Sequence, residues 1–299
     1  MENKNADITA IVLTYNEELH IRRCMENLLQ LTDQIIIVDS FSTDKTVEIA
    51  EEMGIKVIQH KWPGNQAEQF NWALDHCTIN SSWILRLDAD EYLYPDTIQE
   101  MKDSLPVLPP EVTSLSLVRE RIWMGKRIRF GTGDIILKRV FRTNTGHSEI
   151  RLMDEYIVTT HGDDRLLKGK FADDNINDLT NWTMKHLNYA AREAAMILDD
   201  EYHLSSPQNI EEDESAKRKQ KKVYAGLPYF LRAYAYFVYR YFLRLGFLEG
   251  KEGFCWHFFQ GLWYRMFVDA TVFEIKKKCG NDPEKIRDYL AMHYHIVLK

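Results

Sequence analysis

At 299 residues, with 45% hydrophobic and 28% charged positions, the chain is long enough for one large domain or a core domain with an appendage. Its formal net charge of -7 excludes a general nucleic-acid binder, which needs a basic surface. Cys24, Cys77, Cys255 and Cys279 stand far apart with no CxxC pair, which excludes a cysteine-based zinc site and suits reduced thiols. The apolar run at the amino terminus is too short for a signal peptide. No stretch of about 18 residues is free of charge, so no spanning helix is expected. These features point to a cytoplasmic protein.

The first half alternates strands and helices. Ile8 to Thr14 reads as an apolar strand, followed by a helical pattern from Glu17 to about Leu31. Gln34 to Asp39 is a second strand, and Ser42, Thr43 and Asp44 offer caps for a helix running to Met53. Lys56 to Gln59 is a short third strand, Gln66 to His76 a helix, and Trp83 to Leu87 a fourth strand. Continuous apolar strands separated by helices predict an α/β fold, a mostly parallel sheet covered on both faces.

Past Thr113 the pattern changes. SLSLV, RIWM, RIRF and DIILKRVF read as short strands added to the sheet in antiparallel or mixed fashion, with turns near Gly125, Gly131 and Gly133. Glu155 to Thr160 adds another strand, and Asp178 to Tyr202 is a clear helix. Three regions are expected: a catalytic domain over 1–200, a charged connector over 201–226 and an aromatic-rich helical region over 227–299. In the connector, Asp213 with Lys217 and Glu214 with Arg218 are helix-compatible pairs worth roughly 0.2–0.5 kcal/mol each. In the last region Arg232, Arg240 and Arg244 recur at multiples of four and fall within ~120° on one helix face. The opposite face carries Val238, Phe242 and Leu245. An arginine stripe among aromatics suits the anionic cytoplasmic face of an inner membrane; packing onto the core or a dimer partner is the alternative. Asp282 and the following proline open a capped terminal helix.

The chemistry concentrates at strand ends. SWILRLDADE, Ser82 to Glu91, is a strand that empties into Asp88, Asp90 and Glu91, negative charge placed at a carboxyl edge where open α/β sheets bind ligands. Carboxylates so close repel one another, so a divalent cation carrying a phosphate fits there; acids on a positive helix start are the plainer reading. The first strand ends in LTYNEE, where Thr14, Tyr15 and Asn16 offer an aromatic ring and polar groups to a base. The second ends in Asp39, an acid placed to bond a ribose hydroxyl or a base imino group, while Asp44 and Thr46 read as helix caps. No GxGxxG follows the first strand and no GxxxxGK[ST] occurs, which counts against dinucleotide oxidoreductases and P-loop enzymes.

Taken together, LTYNEE, VDSFSTDKT and LDADE, in that order, resemble the family 2 glycosyltransferases of the GT-A fold, over roughly residues 7 to 200. The likeness is greatest to single-domain bacterial enzymes of lipopolysaccharide core, capsule or exopolysaccharide synthesis. The resemblance implies an inverting transferase using a nucleotide-diphosphate sugar, UDP-linked by expectation, with Mg²⁺ or Mn²⁺, and a saccharide or lipid-linked saccharide acceptor. It implies that Thr14, Tyr15, Asn16 and Glu17 form the first nucleotide-binding segment and that Asp39 contacts uridine. Asp88 and Asp90 match the metal-binding DxD, with Asp90 the direct ligand, and Gln69 and Asn71 match a polar pair that holds the donor. The acceptor's general base matches MDEY, at Glu155 or Asp154; an inverting transfer needs one base within reach of the attacking oxygen. His161 is a candidate third metal ligand, Asp173 or Asp174 a replacement for a histidine after the base strand, and Lys138, Arg139 and Arg142 candidates for phosphate pairing. A catalytically inactive sugar-nucleotide-binding scaffold and a sugar nucleotidyltransferase are the rival readings. The latter would carry a glycine-rich basic loop where LTYNEE stands.

Overall fold

The computed structural model describes residues 5–150, 153, 156–205 and 226–298. The chain forms two compact units, the first Met1–Ile128 with Gly133–Asn177, the second Arg129–Thr132 with Asp178–Lys299.

The first unit is built on a sheet of order β3-β2-β1-β4-β8-β6-β11-β5, with β7 (Lys126–Ile128) paired to β6. Its parallel half comprises β1 (Ile8–Thr14), β2 (Ile35–Asp39), β3 (Lys56–Gln59) and β4 (Trp83–Asp88). Successive side chains of a strand point to opposite faces, and the core divides accordingly. Ala10, Val12, Ile37 and Leu85 join Ile21, Met25 and Leu28 of helix α1 (Ile21–Leu28) on one face. Ile11, Ile36, Val38 and Ile84 join Phe70 and Ala73 of another helix (Gln66–His76) on the other. The strand register aligns Thr14 with Asp39 and Leu13 with Asp88, so three strand ends share one carboxyl edge. The α/β fold read from the sequence is borne out.

Beyond β4 the sheet becomes mixed. β8 (Ile135–Arg142) runs antiparallel to β4, β6 (Val112–Trp123) antiparallel to β8, and β11 (Asp163–Asp173) parallel to β6. SLSLV and RIWM are thus one long strand rather than two, because the intervening Arg119, Glu120 and Arg121 belong to the pleat. Sequence reading also passed over β5 (Glu91–Leu93), the helix Pro95–Ser104, β9 (Gly146–Ser148) and β11. β5 and β9 are three residues each, too short for a period. β11 is charged and half exposed with an irregular register near Gly169, which hides the alternation. β10 (Ile157–Thr159) pairs with β9 in a separate ribbon.

The second unit is helical. A long helix (Leu179–Tyr202) opens on Asp178, whose side chain accepts the Asn181 N–H. After residues 206–225, which hold most of the expected connector and lie outside the described residues, a helix (Leu231–Val238) continues into a π-helical turn, Tyr239–Leu243. A 3₁₀ turn (Gly246–Glu249), a helix (Gly250–Trp256), a second π-helical turn (His257–Trp263) and a helix (Tyr264–Cys279) follow. The last helix, Pro283–Tyr294, is capped by Asp282, as expected. His257 is buried so tightly against Gly131 and Gly246 that a side chain at either glycine would overlap its ring.

The arginine stripe does not face outward. Arg232 and Arg240 are each 2% exposed; Arg232 is ion-paired with Asp269, and Arg240 bonds Gln260. Buried charge needs such partners, so the helix turns its arginines inward and its aliphatic face out, with only Arg244 of the three exposed.

Candidate active site

The ends of β1 and β2 are locked together. Thr14 Oγ1 donates to Asp39 Oδ1 at 2.9 Å, and Ser42 donates to the same carboxylate from Oγ at 2.5 Å and from its backbone N–H at 2.8 Å. Asp39 is fully buried, so its carboxylate shapes this edge from within. Asn16 adopts a left-handed conformation, φ 56°, which aims its backbone N–H at Ser42 Oγ and its Oδ1 at the Thr43 N–H, both at 2.8 Å. A non-glycine residue held there marks a backbone whose surroundings over-determine it. Tyr15, between Thr14 and Asn16, is 59% exposed. Glu17 serves the scaffold: its carboxylate accepts from His20 Nδ1 at 2.7 Å, and His20 Nε2 accepts the Ile176 N–H at 3.0 Å. Asp44 accepts from Thr46 N–H and Oγ1, one residue ahead of Lys45, which holds the N-cap position of the helix Thr46–Glu52.

At the end of β4 the acids separate by environment. Glu91 is 1% exposed, accepts from Arg139 Nη2 at 2.5 Å and from the Asp88 N–H at 3.0 Å, and opens β5 rather than a helix. Burial pushes its carboxyl upward against the pull of Arg139, and Asp88, Asp173 and Asp90 push the same way. Asp88 is partly exposed, with Oδ2 3.6 Å from Arg139. Asp90 is partly exposed, and its Oδ2 accepts from Asn175 Nδ2 at 2.9 Å. Its carbonyl accepts the Asp174 N–H at 3.0 Å and Arg23 Nη2 at 3.3 Å, while Arg23 Nη1 pairs with the Asp174 carboxylate at 2.6 Å. Asp173 is buried between Arg121, at 2.5 Å, and Arg119, at 3.4 Å; burial raises its pKa against those two cations.

In FADDN, Asp174 and Asn175 therefore clamp the DxD turn, while Asp173 is held by Arg119 and Arg121 of β6. Sequence reasoning missed Arg23, Arg119, Arg121 and Asn175. Only the adjacency of polar residues in FADDN hinted at one of them, because the partners lie on α1 and β6.

Gln69 is fully buried; Oε1 meets His60 Nδ1 at 2.6 Å and Nε2 donates to Ser40 Oγ at 3.2 Å. Asn71 exchanges two 2.8 Å bonds with the backbone of Ser148, pinning β9 just ahead of Asp154 and Glu155. Those two lie outside the described residues. His161 stands at the start of β6, where its carbonyl accepts from Thr113 Oγ1; this is the edge opposite Asp88, and it is no metal ligand there. Arg142 lies over the Trp83 ring and donates to backbone carbonyls, and Lys138 donates to Thr159. Of the three basic candidates only Arg139 reaches the acidic edge.

Among the described residues no three His, Cys, Asp or Glu side chains converge as a closed metal site. Asp88 and Asp90 alone suit an ion that takes one or two carboxylates and completes its shell with phosphate oxygens and water, the habit of Mg²⁺ and Mn²⁺. The donor set fits such an ion.

A mixed α/β sheet of this order sets an acid pair at the β4 end beside a locked β1–β2 edge. Residues 9–139 match the family model described as Glycosyl transferase family 2. A protein of Rickettsia conorii described as an uncharacterized glycosyltransferase is 37% identical over 95 residues, 32% of this chain and 33% of that protein. The SPbeta prophage-derived glycosyltransferase SunS of Bacillus subtilis is 32% identical over 85 residues, 28% of this chain and 20% of its own. These alignments therefore span a third or less of each relative's length. Among solved structures, glucosyl-3-phosphoglycerate synthase from Mycobacterium tuberculosis, in complex with Mn²⁺ and UDP-glucose, aligns at 18% identity and a TM-score of 0.30. That alignment covers 40% of this chain and 44% of that one.

Proposed function

We propose that the protein is a metal-dependent inverting glycosyltransferase. It moves a sugar from a nucleotide-diphosphate donor, a UDP-sugar by expectation, to a hydroxyl of a glycan or lipid-linked saccharide in bacterial cell-surface polysaccharide synthesis. The observation that carries this reading is the pairing of Asp88 and Asp90 at the β4 end with the Thr14–Asp39–Ser42 lock one strand away. Tyr15 is free of the core and stacks on the base. Asn16 and Asp39 keep the two loops in the shape that receives it.

Asp90, with Asp88, would hold a divalent ion, which when bound supplies Lewis-acid stabilisation of the departing diphosphate. Asn175 and Arg23 fix the turn from which Asp90 projects. Arg139 stays with Glu91 and keeps that buried carboxylate out of the reaction. Glu155 or Asp154 takes the proton of the acceptor hydroxyl as its oxygen attacks the anomeric carbon, through an oxocarbenium-like transition state. A lipid-linked acceptor would bring the protein to an anionic membrane surface. No helix among the described residues is long and apolar enough to cross a membrane.

The test is transfer from a panel of UDP- and GDP-sugars, with and without Mn²⁺, by wild type and by Asp90→Ala, Glu155→Ala and Asp154→Ala. The expected result is metal-dependent turnover that Asp90→Ala and one of the two base variants abolish. Undiminished turnover without metal and without the Asp90 carboxylate overturns the proposal.

A further inference from the structure

We propose that the segment from Tyr239 to Phe258 in the second unit is a docking surface for an anionic phospholipid bilayer. The inference stands apart from the sugar-transfer reading, since it uses no residue of the first unit.

The observation is an inverted polarity. The helix Leu231–Val238 and its π-helical continuation bury Arg232 and Arg240 and present their apolar side outward. Leu243 is 70% exposed, Phe242 54% and Leu248 54%, and Phe247 and Phe254 are exposed beside them. The aromatic ones are contiguous: the Tyr241 ring meets those of Phe242, Phe247 and Phe254 at centroid distances of 5.1, 6.4 and 5.8 Å. Isolated exposed apolar residues are ordinary, but a continuous patch of large ones marks an interaction surface.

Charge selects the occupant. Of the exposed side chains between residues 234 and 258, only Arg244 and Lys251 are charged, and both are positive. Of the two acids in this segment, Glu249 is buried and turned inward onto the Arg129 and Phe130 N–H groups, and Glu252 is half-buried. Each cation also sits at a cleft. Arg244 borders a hollow of about 260 Å³ with Arg129, Phe130, Thr132, Leu243 and Leu245, and Lys251 borders a mostly apolar one of about 500 Å³ with Phe247 and Phe254. A second protein would be expected to meet a patch with mixed polar chemistry at its rim. Aromatic and aliphatic side chains whose fully exposed charges are all cations match an interface whose depth is hydrocarbon and whose surface is phosphate.

Flotation of the full chain with vesicles tests this. One set is phosphatidylcholine alone and the other contains about one quarter phosphatidylglycerol (a fraction chosen to give an anionic surface). Wild type should float with the anionic vesicles and not with the neutral ones, and high salt should release it. Combined Leu243→Ser and Leu248→Ser should reduce the bound fraction at least about tenfold. Arg244→Glu and Lys251→Glu should each weaken binding roughly fivefold or more, about what one surface cation contributes. Every substituted side chain is exposed, so far-ultraviolet circular dichroism and the unfolding midpoint should not change. Failure of wild type to float, equal flotation with both vesicle types, or variants that float like wild type would overturn the proposal. Light scattering that reveals a dimer dissociated by the leucine pair would also overturn it, assigning the surface to a second copy.

Discussion

Asn175 donates from Nδ2 to Oδ2 of Asp90 over 2.9 Å, a bond that joins the end of β11 to the turn after β4. The bond fixes the rotamer of the carboxylate proposed to hold the metal and leaves its other oxygen to the ion. Residues that orient a metal-ligating side chain typically change affinity or activity by about 10–100-fold when removed. Asn175→Ala should therefore raise the Mn²⁺ concentration for half-maximal activity by about tenfold while leaving the unfolding midpoint nearly unchanged. A metal titration of initial rates reads this. A change in maximal rate alone, at unaltered metal dependence, would speak against the orienting role.

Asn71 is committed to the backbone of Ser148 through both ends of its amide. Asn71→Ala leaves a partly buried N–H and C=O without partners, a loss of roughly 1–3 kcal/mol for each buried group unsatisfied. Urea denaturation followed by tryptophan fluorescence should show that destabilisation. Because β9 leads toward Asp154 and Glu155, the variant should also lower kcat more than it changes the donor KM. A variant whose only defect is donor affinity would instead place Asn71 on the ligand.

Arg232 and Asp269 form a buried ion pair, and Asp269 also accepts the Phe230 N–H at 2.7 Å. Breaking such a pair on one side leaves an uncompensated buried charge and costs about 3–5 kcal/mol. Asp269→Ala should therefore unfold the helical unit well before wild type in a denaturant titration. A joint replacement, Arg232→Met with Asp269→Ala, should recover part of the loss. Equal stability of the single variant and wild type would contradict the ion-pair assignment.

His257 supplies a pH dependence. Burial, with the neighbouring Arg240 cation, depresses its pKa from 6.5 to about 4. Between those values the unfolded chain binds a proton that the folded chain refuses. The stability contributed by neutral His257 is thus fully present above pH 6.5 and is lost as pH falls toward 4. The loss should be on the order of 2 kcal/mol. Denaturation midpoints measured across that window should fall in wild type. His257→Asn, weaker at pH 7, should show a shallower slope, and an identical slope would assign the effect to other groups.

Much of the first unit was legible in the order of residues. The limits Ile8–Thr14, Lys56–Gln59 and Gln66–His76 follow from apolar runs and periodicity, because parallel strands covered on both faces must be continuously hydrophobic. The proximity of Asp39 to Thr14 and of Asp88 to Leu13 follows as well, since adjacent parallel strands put their carboxyl ends side by side. The clamp on Asp90 was not legible. Arg23 lies on α1 while Asp174, 151 positions on, and Asn175 follow the end of β11, and no local pattern encodes a partner so distant.

The polarity of the carboxy-terminal helices divides the two levels most sharply. The sequence by itself determined that Arg232, Arg240 and Arg244 share a helix face and that Val238, Phe242 and Leu245 lie across from them, for helical geometry allows nothing else. Which face meets solvent was decided only in three dimensions. Asp269 and Gln260, brought in from the two turns and helices that follow, satisfy two of the arginines in the interior. With Arg232 ion-paired and Arg240 hydrogen-bonded inside, the apolar face is left outward, and a pattern that reads as a lipid-facing arginine stripe becomes an apolar surface edged by Arg244 and Lys251. Periodicity assigns residues to faces; only the partners supplied by the rest of the chain set the free energy of burying one face over the other.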